Sequence, residues 1–265
     1  MPEGHTIHRI AQEHRACFAG STVAVTSPQG RFLDAPRLDG RRLKDVDAWG
    51  KHLLYEFEGR RYVQVHLGLF GRVRTASQPA PSAGPTVRMR LAANDWYADL
   101  IGPTRCRLLD GDQRTELVAR LGPDPLRADA QPDLAWRRLS VSSQPIAALL
   151  MDQSVVAGIG NVYRAELLFR AGLDPYRQGR SMTPELWDGL WGDARTLLRA
   201  GARSGRILTT KPEDRRRAVG RVRDDDAHYV YGRSGRACRR CGAVVRSAPL
   251  AGRTLYWCPA CQPPR

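Results

Sequence analysis

Hydrophobic residues follow two different periods along the chain. After Pro2, residues Ile7, Ile10, Ala11, Cys17 and Phe18 recur at helical spacing until Gly20, which predicts an amphipathic helix. The period then drops to two. Thr22–Thr26, Arg41–Asp47, His52–Phe57, Tyr62–His66, Val87–Leu91 and Thr104–Leu109 read as short strands. Alternation is cleanest in Tyr62-Val63-Gln64-Val65-His66 and Val87-Arg88-Met89-Arg90-Leu91. Many short strands with turns between them predict an antiparallel sandwich or barrel. Gln78–Pro85 is a loop by composition.

Near residue 115 the helical period returns. Thr115–Leu121 reads as a short helix broken by Gly122-Pro123-Asp124-Pro125, and Asp133–Leu139, Pro145–Gln153, Val162–Ala171 and Pro184–Ala202 follow as helices. Residues 211–227 lack apolar periodicity and read as a mobile loop. Three domains are expected: a β-rich one over 1–122 with the N-terminal helix, a helical one over 123–227, and a cysteine-bearing one over 228–265. No internal repeat is visible.

Charge and cysteine usage then narrow the function. The chain has 265 residues and a net charge of +15, which calls for an anionic partner, nucleic acid before membrane surface. Only Lys44, Lys51 and Lys211 are lysine; the other cations are arginine. The longest apolar run, Ile146–Met151, is far short of a membrane span, and the N-terminus lacks a signal-peptide pattern. A cytoplasmic monomer with no membrane association is expected. Cys17 and Cys106 sit alone in apolar-periodic segments, as core residues do. Cys238-x2-Cys241 and Cys258-x2-Cys261 have the spacing of a four-thiolate zinc site, two knuckles brought together by the hairpin between them. Two disulfides or iron are the other readings, and a cytosolic setting argues against disulfides.

Four further stretches carry candidate chemistry. Gly158-Ile159-Gly160-Asn161 precedes a helix, where backbone N–H groups receive a phosphate and Asn161 serves as cap and amide donor; an ordinary glycine turn is the other reading. Arg253 lies near the tip of the cysteine hairpin, placed for phosphate or base contact. Lys51 stays lysine in a chain that otherwise uses arginine, which points weakly to a compact point charge. Removal of Met1 exposes Pro2 as a secondary amine. Such an amine attacks an aldehydic carbon to give an iminium electron sink, with Glu3 beside it to move protons.

In order and spacing these pieces resemble the formamidopyrimidine-DNA glycosylase / endonuclease VIII family over essentially the whole chain. The carrying motifs are Pro2-Glu3-Gly4, Trp49-Gly50-Lys51, Gly158-x-Gly160-Asn161, Tyr229-Val230-Tyr231-Gly232-Arg233-x-Gly235 and Gly252-Arg253 before Cys258. Met-Pro-Glu-Gly-His-Thr, Ala-Trp-Gly-Lys-His-Leu and His-Leu-Gly-Leu-Phe-Gly are most similar to the actinobacterial endonuclease VIII branch.

The resemblance implies an α+β protein: an N-terminal antiparallel β-sandwich, a helix-two-turn-helix domain and a β-hairpin zinc finger holding one structural Zn2+. It implies a base-excision glycosylase/AP lyase acting on double-stranded DNA with oxidised bases or abasic sites. Pro2, Glu3 and Lys51 would be catalytic. Asn161, Gly160 and Arg253 would contact phosphates, and Leu69 and Phe70 would fill the void left by an everted base; two hairpin or core residues are the other reading. Thr6 departs from the family's common glutamate. No Arg-x-Phe loop follows Asp99, where Leu100-Ile101-Gly102-Pro103 stands, and that favours oxidised pyrimidines over 8-oxoguanine. Glu166 is a further candidate near the phosphate turn, with a salt-bridged helix residue as the favoured reading. A purine-directed enzyme and a non-enzymatic zinc-dependent DNA-binding paralogue are the competing readings.

Overall fold

The computed structural model describes residues 2–215 and 222–264. The chain forms two compact units, 1–120 and 121–265. Part of the loop expected over 211–227 lies outside the described residues.

The first unit opens with helix α1 (Gly4–Phe18), which buries Ile7, Ala11, His14 and Phe18. Strands β1 (Thr22–Thr26), β2 (Arg41–Trp49), β3 (His52–Phe57), β4 (Arg61–His66), β5 (Arg72–Ser77), β6 (Val87–Ala93), β7 (Trp96–Ile101) and β8 (Arg105–Leu109) follow. They pair in the order β5-β7-β6-β1-β2-β3-β4-β8, every pairing antiparallel. β1 and β2 share only two registered pairs, Thr22 with Arg42 and Val23 with Arg41. That brief joint divides the sheet into two four-stranded halves. Both bury their inner residues in one cluster with α1, from Val25 and Leu91 on one half to Leu53 and Val65 on the other. The expected sandwich is therefore present. Cys17 and Cys106 pack, partly buried, against this core.

Two strands escaped the sequence pattern for physical reasons. β5 is an edge strand with little apolar content, and β7 is buried along most of its length, so neither alternates. Helix α2 (Gly111–Ala119) starts four residues before the expected Thr115, because Asp110 and Gln113 form a reciprocal capping box.

In the second unit come α3 (Pro132–Leu139), α4 (Ile146–Leu149), α5 (Asn161–Arg170) and α6 (Pro184–Ser204), then the hairpin β9 (Arg246–Leu250) and β10 (Arg253–Trp257). The helix expected over Pro145–Gln153 stops at Leu149. Side chains take the backbone over from there: Asp152 accepts from Ser154 N, and Gln153 accepts from Gly158 N while donating to Met151 O and Ile159 O. Among the described residues no helix is long and apolar enough to cross a membrane.

Glu166 corrects its expected role. It is fully buried and pairs with no cation among the described residues; its carboxylate accepts from Tyr229 N at 2.7 Å, Val230 N and Tyr231 N at 2.8 Å each, and the Thr209 hydroxyl. The tyrosine motif before the cysteines is thus a run of amides wrapped on one carboxylate. Removing the carboxylate strands three backbone donors, two of them buried. Glu166→Ala is expected to lower unfolding free energy by about 3 kcal/mol in chemical denaturation; a loss below about 1 kcal/mol would show that the carboxylate is not the anchor.

Candidate nucleic-acid interface and metal site

In the first unit the candidate residues sit where turns and a helix start present them. Pro2 precedes α1, and Glu3 occupies the position just before its first turn, 1% exposed, with its carbonyl accepting Thr6 N at 2.9 Å. Extended backbone at Glu3 lets the chain enter the helix there. Thr6 pairs its hydroxyl with His5 Nε2 at 3.1 Å. Burial first, then neighbouring positive charge, pushes His5 down to about 4, so this imidazole is neutral at pH 7.

Lys51 is the second residue of the two-residue turn joining β2 to β3, after Gly50 at φ 59°. A polar row runs on from it across the sheet, which the sequence pattern did not single out. His52 pairs with His66 and His66 with Arg105; Leu54 pairs with Gln64 and Gln64 with Arg107. Gln64 bonds His52 Nδ1 at 2.9 Å and accepts from Arg107 Nε at 2.7 Å. Burial, then the charges of His66, Arg105, Arg107 and Lys51, pushes His52 down to about 4. Alternate strand positions carry these groups, which was the available signal.

Leu69 and Phe70 occupy the β4–β5 turn. Gly71 N closes it on Leu67 O at 3.0 Å, and Gly68, at φ 68°, lies so near Thr104 that a Cβ would meet its hydroxyl oxygen at 1.8 Å. Both side chains are held outward, Leu69 at 42% and Phe70 at 87% exposure. They are exposed turn residues and not core. After Asp99, β7 runs to Ile101 and a three-residue turn at 102–104 leads directly into β8. Asp99 itself is taken by Arg90 in a two-pronged pair at 2.7 and 2.8 Å.

In the second unit Gly160, not Asn161, occupies the cap position of α5; a capping role for Asn161 is therefore incorrect. Asn161 is the first helical residue and turns sideways. Its Nδ2 donates to Thr254 O at 3.0 Å, and its Oδ1 accepts from Arg164. Arg164, fully buried, also donates to Leu250 O and Thr254 O. Asn161 is thereby tied to the backbone of Thr254, the residue after Arg253, in a hairpin that turns through Ala251 and Gly252 at φ 51° and 69°. A cavity of about 800 Å³ opens beside Arg253, lined by Arg138, Asp152, Ser154, Gly252 and Arg253 among others, with neither Gly160 nor Asn161 in its wall. Nothing in the sequence pattern singled out Arg164.

The four sulfurs of Cys238, Cys241, Cys258 and Cys261 lie within 4.8 Å of one another. Cys238 and Cys261 are 3.8 Å apart and Cys241 and Cys258 3.5 Å, too far for disulfides. Tetrahedral ligation at a Zn–S distance of about 2.3 Å puts sulfurs about 3.8 Å apart. The cluster therefore fits a metal ion such as zinc. A bond from the Ala243 backbone leads the causes that bring Cys241 down to about 7, whereas burial pushes the Cys258 and Cys261 thiols up.

Comparison with known proteins agrees with this arrangement. Residues 1–110 match the formamidopyrimidine-DNA glycosylase N-terminal domain, and residues 121–212 the formamidopyrimidine-DNA glycosylase H2TH domain. The chain is 48% identical to Endonuclease 8 1 of Mycobacterium tuberculosis, over 99% of this chain and 100% of that protein. It is 34% identical to formamidopyrimidine-DNA glycosylase of Thermus thermophilus, over 99% and 98%. The crystal structure of the MutM (Fpg) protein from Thermus thermophilus superposes with a TM-score of 0.78 at 33% identity, covering 98% of each chain. Lactococcus lactis Fpg in complex with abasic-site DNA shares the fold, with a TM-score of 0.78 at 23% identity over 99% and 100%. The chain belongs to the formamidopyrimidine-DNA glycosylase / endonuclease VIII family of DNA glycosylases.

Proposed function

We propose that this protein is a base-excision glycosylase/AP lyase acting on double-stranded DNA, as a monomer in the cytoplasm, with oxidised pyrimidines favoured over 8-oxoguanine. The observation that carries the reading is the start of α1. A potential secondary amine at Pro2 is followed by a buried carboxyl residue at Glu3, in a chain matching Endonuclease 8 1 of Mycobacterium tuberculosis end to end. The short turn at 102–104 supports the pyrimidine preference, since no long loop follows Asp99. DNA as partner is supported by the Lactococcus lactis Fpg complexes with abasic-site DNA and with oxidised-pyrimidine DNA.

The chemistry follows from an amine beside a carboxyl group. Once Met1 is removed, the Pro2 nitrogen lone pair attacks C1′ of an everted nucleotide and the bond from C1′ to the base breaks, the base leaving with the bonding pair and taking up the proton that the Pro2 nitrogen sheds. Glu3 delivers a proton to O4′ as the sugar ring opens, leaving a C1′ iminium on Pro2. The cationic iminium acidifies C2′. Loss of that proton expels the 3′ phosphate, and a second elimination expels the 5′ phosphate. Water then hydrolyses the iminium and returns the free amine.

Lys51, Asn161, Gly160 and Arg253 contact phosphates near the lesion. The Asn161 amide nitrogen carries two hydrogens, enough for both Thr254 O and a phosphate oxygen. Leu69 and Phe70 take the space the base vacates. Cys238, Cys241, Cys258 and Cys261 hold one Zn2+, which supplies folding free energy to the finger and takes no part in the bond changes.

Borohydride added to the protein on abasic-site duplex is expected to trap a covalent adduct that falls at least roughly tenfold in Pro2→Gly. Glu3→Gln is expected to cut release of a damaged base about 100-fold while still trapping on a preformed abasic site. No adduct with correctly processed, metal-loaded protein would leave the DNA-binding paralogue as the reading. Equal or faster release of 8-oxoguanine than of thymine glycol, 5-hydroxycytosine and dihydrouracil would favour the purine-directed enzyme.

Affinity for duplex DNA is expected to fall about 100-fold between roughly 50 and 200 mM salt, the slope for about four neutralised phosphates. A flat profile in a filter-binding titration would disconnect the net charge from DNA. Chelation is expected to weaken DNA retention at least about tenfold, with zinc release followed colorimetrically; unchanged retention after proven zinc loss would remove Arg253 from phosphate contact.

A further inference from the structure

The two residues inside the first cysteine knuckle, Arg239 and Arg240, reach into the two described segments that flank residues 216–221. Arg239 holds the later one. Its Nη1 donates to Asp226 Oδ1 at 2.8 Å, its Nε to His228 O at 3.0 Å, and its Nη2 to Asp225 O. The Arg239 and Asp226 side chains are only 8% and 6% exposed, so this ion pair is desolvated and its donors are taken by a matched set of oxygens.

Arg240 holds the earlier segment. Its guanidinium lies over the rings of Tyr229 at 4.8 Å and Phe169 at 5.1 Å, with Nε 3.5 Å from Asp214 Oδ2. The Tyr229 hydroxyl donates to the same Asp214 oxygen at 2.5 Å and accepts from Lys211 N at 2.9 Å. The two segments are also tied to each other. Thr209 N donates to Ala227 O at 3.0 Å, and the Thr210 hydroxyl donates to Asp226 O at 2.7 Å.

The knuckle that supplies both arginines is itself only four residues, Cys238-Arg239-Arg240-Cys241, closed by Gly242 N on Cys238 O and by Cys238 N on Ala243 O. A metal ligated at both its ends makes that turn a fixed base. Without the metal, the guanidinium groups lose their common platform, although each retains its own partners. Lysine cannot replace Arg239 here, because the bonds come from three nitrogens of a planar fork to three separate oxygens.

We propose that the first cysteine knuckle couples metal occupancy to the order of the Lys211–Asp214 and Asp224–His228 segments, through Arg240 and Arg239 respectively. This rests on the metal reading of the four cysteines and not on the glycosylase chemistry. It gives the otherwise unexplained Arg-Arg pair between metal ligands a positioning role.

Hydrogen exchange by mass spectrometry on the full chain tests it, with metal content measured on every sample. Chelation is expected to speed exchange roughly tenfold or more in both segments as well as in the hairpin. With about one metal retained per chain, Arg239→Ala is expected to loosen Asp224–His228, and Arg240→Ala to loosen Lys211–Asp214. Should Arg239→Ala lose its metal or fail to fold, Arg239→Lys keeps the charge and removes the fork; loosening of Asp224–His228 with metal bound supports the coupling. Segments that stay protected after proven metal loss would overturn it, as would metal-loaded Arg239→Lys and Arg240→Ala with wild-type exchange. Wild-type protein that binds no added zinc would overturn the metal reading itself, an outcome read from metal content alone.

Discussion

The second unit depends on one buried carboxylate. Glu166 sits on α5, the helix whose first residues also present Asn161, and it gathers the amides of Tyr229, Val230 and Tyr231 together with the Thr209 hydroxyl. A buried anion is costly unless every lone pair is used. Here the partners come from three places in sequence: the helix supplies the acceptor, the stretch after α6 supplies the hydroxyl, and the stretch entering the cysteine finger supplies the amides. The finger therefore stands on the helical part through hydrogen bonds as well as through apolar contact. Phe169, one helical turn on, stacks on Tyr229 with centroids 4.7 Å apart and extends the same joint.

A second buried group orders what the first one holds. Arg164 is one helical turn after Gly160 and fully buried, and it spends its guanidinium on the carbonyls of Leu250 and Thr254 and on the Asn161 side chain. An arginine locked in this way fixes the asparagine amide in a single orientation. The glycine turn and the hairpin, far apart in sequence, meet through it. Glu166 and Arg164 thus divide the work on α5, one setting the entry into the finger and the other setting its hairpin.

How much of this was legible in the sequence depends on whether the information is local. The period-two runs over Val87–Leu91 and Thr22–Thr26 coincide with strands, because one side of each faces the core. β7 was not legible, since burial along most of the strand erases alternation. The end of α4 was not legible either, because Asp152, Ser154 and Gln153 are competent helix residues whose side chains bond nearby backbone instead. At the site, the cysteine spacing and the glycine turn are local signals and were readable. The roles of Glu166 and Arg164 are not, because their partners lie far along the chain and single charged residues on a helix look alike. The excess of arginine hid Arg164, Arg239 and Arg240 among many solvated neighbours.

The close approach of Gly68 to Thr104 has a consequence for both turns. The turn that displays Leu69 and Phe70 and the short connection from β7 to β8 touch at this point, with no room for a Cβ between them. They are therefore one interlocked part and not two independent loops. Lengthening the second turn in this chain moves Thr104 and so disturbs the first. A side chain at position 68 therefore displaces both turns together, so the two are strained or relieved as a unit.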